Sequence, residues 1–139
     1  PVGEQEAAQN LFEFTGDYIN SIKEETPHSL AAQKIKWAVD INKQWYRETK
    51  GAAIGVKSLY AYAKIFIAAA HETGIRSYAR QARALINEGM RRAPTRIEFV
   101  KLALEAAHIE KDKAAYHRAL VKGRRLRPDL FPRPPIHFL

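Results

Sequence analysis

The chain has 139 residues, 46% apolar and 27% charged, which suits one globular domain and excludes wholesale disorder. It contains no cysteine, so disulfides, thiolate nucleophiles and cysteine-ligated metals are ruled out. The net charge of +8 is uneven: residues 1–75 carry 8 Lys/Arg against 9 Asp/Glu, and residues 76–139 carry 15 against 6. The positive field therefore belongs to the second half, and points to an acidic partner, an anionic membrane surface or nucleic acid.

No apolar run approaches the roughly 18 residues needed to span a bilayer. The nearest, Ile65 to Ala70, is far too short. The opening Pro-Val-Gly-Glu-Gln-Glu has neither the basic start nor the apolar stretch of a signal peptide. A soluble domain, excised from or processed out of a larger protein, is the expectation; the compartment is left open.

Six helical stretches follow in chain order. The first spans about 4–24, with Ala8, Leu11, Phe12, Phe14, Tyr18, Ile19 and Ile22 at mostly three- and four-residue steps. Pro27 interrupts it and Ser29 is a candidate cap for the second helix, 30–49, whose inward face reads Leu30, Ala31, Ile35, Ala38, Ile41 and Trp45. Gly51 is a candidate left-handed stop. The third helix, 52–72, is apolar around most of its circumference and predicts the central buried element; Gly74 ends it. The fourth, 76–92, turns Ala79, Ala82, Leu85, Ile86 and Met90 inward and Arg76, Arg80 and Arg83 outward. Thr95-Arg96-Ile97-Glu98 has the spacing of a capping box and opens the fifth, 96–109. Asp112 caps the sixth, which runs to Leu126. Residues 127–139 hold four prolines and predict an extended tail that Phe131 or Phe138 pins to the body or to another molecule. The fold class is therefore all-α: about six antiparallel helices as three stacked hairpins. Residues 1–126 form one domain, with two long helices over 4–49 and hairpins over 52–92 and 96–126.

Shifting the sequence by 34 positions sets Gly89 on Gly123, Arg91 on Arg125, Pro94 on Pro128, Ile86 on Leu120, Phe66 on Val100 and Ala69 on Ala103. A helix–turn–helix period of this length with a proline stop resembles the tetratricopeptide repeat over residues 63–128. Leu104 and Tyr116 depart from it, standing where that family prefers small residues. The resemblance implies a concave groove lined by the first helix of each unit: Lys64, Ile67, His71, Glu98, Lys101, Glu105 and His108. Glu98 and Glu105 would repel a peptide C-terminal carboxylate, so the family's familiar carboxylate clamp is not expected. A second resemblance rests on Ala93-Pro94-Thr95-Arg96-Ile97-Glu98-Phe99 and Leu126-Arg127-Pro128-Asp129. These segments look like the repeat-bearing soluble tails of O-antigen ligase and polymerase-type membrane proteins, which implies a periplasmic accessory role in glycan transfer.

No catalytic constellation, metal site or cofactor site is expected. His71-Glu72 lacks the second histidine of a zinc-protease helix, because that position is Ile75. Glu105-x-x-His108 has di-iron spacing, but its only counterpart, Glu25-x-x-His28, straddles Pro27. No serine sits in a nucleophile elbow and no glycine-rich phosphate loop exists. What remains is a basic patch of Arg76, Arg80, Arg83, Arg91, Arg92, Arg118, Lys122, Arg124 and Arg125, suited to phosphate or carboxylate. Core packing is expected for Trp37, Trp45 and Tyr46, with exposed anchors for a partner as the alternative. The function expected is a protein–protein interaction or scaffold domain, with electrostatic nucleic-acid binding as a further alternative.

Overall fold

The computed structural model describes residues 2–22, 28–48 and 54–131. They form six helices and no strand: α1 (Val2–Ile22), α2 (His28–Glu48), α3 (Val56–Thr73), α4 (Arg76–Arg92), α5 (Ile97–Glu110) and α6 (Lys113–Leu126). Pro27, Gly51 and Phe138 lie outside the described residues. α2 begins at His28, so Ser29 lies within its first turn.

α3 is the hub. Eleven of its residues are buried, and α1, α2, α4 and α5 all pack on it. Its sequence explains why: Ala61, Ala63, Ala68, Ala69 and Ala70 let neighbouring helices approach closely, while Leu59, Tyr62, Ile65 and Phe66 fill the space between. Rings link the hub to its neighbours. Tyr62 stacks on Tyr46 of α2 at 4.3 Å, tilts against Phe12 of α1 at 4.8 Å and meets Phe66 edge-on at 5.1 Å. Phe66 in turn reaches Tyr78 of α4.

The helix ends follow local chemistry. Gly55 is extended, so α3 starts at Val56, later than the periodicity alone predicts. Gly74 closes it in the left-handed region (φ 72°), donating its N–H to the Ala70 carbonyl. Asp112 caps α6 by accepting from the Ala115 N–H at 3.0 Å. The capping box expected at Thr95–Glu98 does not form. The residue before α5 is Arg96, whose N–H is already taken by the Ala93 carbonyl, and no side chain caps the helix.

Two inward faces differ from their expectation. Phe14 is 69% exposed, and Leu30, Trp37 and Ile41 are also exposed. The positions at the α1–α2 seam go instead to Thr15 and Asn42, both buried. Thr15 donates to the Leu11 carbonyl, and Asn42 Nδ2 reaches both Thr15 Oγ1 (2.9 Å) and the Ala38 carbonyl. A polar pair whose donors find acceptors can occupy a core position, which hydrophobic periodicity does not register.

From α3 onward the helices pack serially, α3 on α4, α4 on α5 and α5 on α6, with α3 also touching α5. The period found in the sequence has a steric counterpart. Gly89 of α4 lies under the ring of Phe99, so close that a Cβ there would overlap it. Gly123 of α6 lies under Phe131, where a Cβ would come within 2.8 Å of the ring. Phe131 therefore pins the start of the tail: residues 127–131 turn back, and its ring joins Val100 and Leu120 in a small second core.

Because Phe99 is fully buried and a Cβ at position 89 would overlap its ring, Gly89→Ala should destabilise the fold by about 1–2 kcal/mol despite alanine's higher helix propensity. Urea unfolding at neutral pH checks this; unchanged or raised stability would show the ring free to move.

Candidate functional site

α1 and α5 both pack on α3, yet among the described residues they do not contact each other. The gap between them is a groove of about 500 Å³. Its floor is apolar, made by Phe12, Ala61, Ile67, Ala68 and Leu102, with the half-buried Tyr60 at one end. One wall comes from α1, where Glu13, Gly16, Asp17 and Asn20 recur at helical spacing on a single stripe. The rest comes from Lys64, His71 and Glu72 of α3 and Glu105 of α5.

The groove is acidic although the chain is basic. Among the described residues Glu13, Asp17, Glu72 and Glu105 line it with carboxylates, and Lys64 is the one ammonium. Lys64 Nζ lies over the Tyr60 ring, 5.4 Å from its centroid. His71 Nδ1 lies 3.5 Å from Glu72 Oε1, and the Glu72 side chain is largely covered. The Tyr60 hydroxyl is held above its ordinary pKa, first by burial and then by the negative charges of Glu105 and Glu98. An acidic field thus reaches the tyrosine from the α5 side.

Of the residues expected to line a groove, Lys64, Ile67, His71 and Glu105 do so. Glu98 borders a smaller adjoining hollow with Gln9, Lys57 and Phe99. Lys101 and His108 are exposed on α5 but line neither recess. The α1 wall was missed. Its signal was the stripe of short and acidic residues at 13, 16, 17 and 20, beside the apolar stripe that marked the helix.

The expected basic patch divides. Arg83 does not point outward to a ligand: Nη2 lies 2.7 Å from Glu110 Oε2 and Nη1 3.2 Å from Asp112 Oδ2, tying α4 to the α5–α6 turn. Arg91 and Arg92 both fold onto Glu88, and Arg92 Nη1 also donates to the Ile54 carbonyl at 2.7 Å, securing the segment before α3. Arg76, Arg80, Arg118 and Arg125 are exposed, and Lys122 and Arg124 are half-buried. Arg118, Lys122 and Arg125 border a shallow dip on α6 with His117, Val121 and Leu126. Trp37 is exposed, against expectation, while Trp45 and Tyr46 are half-buried. Among the described residues no three His, Asp or Glu side chains cluster as metal ligands, and no helix is long and apolar enough to cross a membrane.

No protein-family model, curated protein or solved structure matches this chain.

The two arginines beside Glu88 hold its carboxyl down from an ordinary 4.5 to about 2. A carboxylate with a lowered folded pKa contributes stability above its unfolded pKa and loses it as protonation proceeds. Stability should therefore fall between pH 4.5 and 2, and Glu88→Gln should flatten the profile across that window. Thermal unfolding at stepped pH reads the difference; identical slopes would remove Glu88 from the account.

Proposed function

We propose that this chain is a protein-docking domain whose α1–α3–α5 groove receives a basic, partly apolar segment of a partner, its hairpins stacked in the tetratricopeptide manner from α3 onward. The serial packing of α3 to α6 and the twice-used glycine beneath a phenylalanine ring support that arrangement. The observation that carries the function is the groove itself: an apolar floor between walls that bear Glu13, Asp17 and Glu105, on a chain whose net charge is +8. Apolar side chains entering the groove lose contact with water, which drives binding. Lysine or arginine on the same segment meets Glu13, Asp17 and Glu105, which sets orientation and rejects acidic competitors. A purely electrostatic attraction would draw anions to this protein, so retention of a cation by it reports the groove specifically.

Selection of random peptides displayed on phage, run in parallel on the wild-type chain and on Asp17→Lys/Glu105→Lys, tests this. The wild type should enrich sequences that combine lysine or arginine with aromatic or aliphatic residues. The doubly substituted chain should bind those same peptides at least tenfold more weakly, about 1.4 kcal/mol. Enrichment of acidic peptides, or binding indifferent to the two substitutions, would overturn the proposal.

A further inference from the structure

Among the described residues, four of the six large hydrophobic side chains that stand exposed belong to one hairpin: Phe14 of α1 and Leu30, Trp37 and Ile41 of α2. Their placement follows from helical geometry. The Asn42–Thr15 hydrogen bond marks the α1–α2 seam. At 100° per residue, Phe12 and Tyr46 lie to one side of that seam, where their rings meet Tyr62 of α3. Phe14 of α1 and Leu30, Trp37 and Ile41 of α2 fall on the other side, with the half-buried Tyr18 and Trp45 at its margin, packed against the core. The hairpin therefore presents an apolar face directed away from the core, on which Phe14, Leu30, Trp37 and Ile41 stand exposed.

We propose that this face binds a second copy of the chain, α2 lying antiparallel on its counterpart across a two-fold axis at Ile41. The order of residues along α2 is self-complementary about that point. Trp37 and Trp45 stand equally far on either side of Ile41, so the exposed Trp37 of one copy meets the half-buried Trp45 of the other. Lys34 and Glu48 likewise stand seven positions on either side of Ile41, so each lysine meets a glutamate twice over. Both are exposed, and neither takes part in an ion pair among the described residues; Glu48 accepts only the Gln44 amide. Burying Ile41 and Trp37 drives association, and the paired charges fix direction and register.

Charge distribution favours a copy over the alternatives. Residues 1–75, which contain the hairpin, are nearly neutral, while the strongly basic half lies elsewhere in the fold, so two copies approach here against little repulsion. An anionic bilayer would call for a basic rim around the apolar face, and among the described residues Lys34 alone lies on that face. Two 21-residue helices per copy are each about 30 Å long, and side by side they offer roughly 600–800 Å² per partner, the size of a stable interface. The groove lies on the opposite flank of α1 and stays open in the dimer, so this inference does not depend on the docking function.

Sedimentation equilibrium of the full chain, from micromolar to near-millimolar concentration, should give twice the 15.8 kDa monomer mass. Ile41→Glu should weaken the dimer at least a hundredfold while circular dichroism keeps its helical signal, since the side chain is exposed in the monomer. The decisive pair is Lys34→Glu, which should weaken the dimer, and Lys34→Glu with Glu48→Lys, which should restore it. A lipid surface or an unrelated partner has no reason to reward that swap. A monomer at every concentration, a dimer indifferent to Ile41→Glu, or failure of the swap to restore association would each overturn the proposal.

Discussion

Every surface described above is arranged by the way α3 is surrounded. A helix of 18 residues with 11 buried has almost no face left for water, so its neighbours must close on it from several directions at once. Alanines set how near those neighbours come, and Tyr62 and Phe66 set where they stop. A larger side chain at Ala63 or Ala69, both fully buried, would push outward against helices that have nowhere to move. The hub therefore constrains α1, α2, α4 and α5 together.

The groove is a by-product of this crowding. α1 and α5 each need α3 to cover their apolar stripes, and they approach it from directions that leave a channel between them. Along that channel α3 turns its few polar side chains, Lys64, His71 and Glu72, while α1 and α5 contribute carboxylates from the margins of their buried stripes. The basic residues of α4 take a different course. Arg83 and Arg92 are spent holding turns and segment ends in place, which is the use that short-range carboxylates and free carbonyls make available to a guanidinium. The charge asymmetry of the sequence is thus real but does not map onto a single binding face.

Much of the architecture was legible in the residues. The helical periodicity, Gly74, the Asp112 cap and the apolar circumference of α3 each had a local physical cause, and local causes survive folding. The 34-residue period showed which positions matched, but only the structure showed that Gly89 and Gly123 are small because a phenylalanine lies on each. The α1–α2 hairpin misled for a definite reason. Thr15 and Asn42 stand outside any apolar pattern, while Phe14, Trp37 and Ile41 read as core. Burial turned on a hydrogen bond between residues 27 apart, which no window of adjacent sequence contains. The same limit hid much of the groove: Lys64, Ile67, His71 and Glu105 could be placed by repeat spacing, whereas the α1 wall depends on where a non-repeating helix comes to rest.

Native-state hydrogen exchange across the whole chain tests the central claim most directly. If α3 is the element on which all others close, its amides from Leu59 to Ala70 should exchange only through global unfolding and share the highest protection in the molecule. α6, which buries only Leu120 and Gly123, should open at lower free energy. Protection in α3 no greater than in α6 would contradict the account.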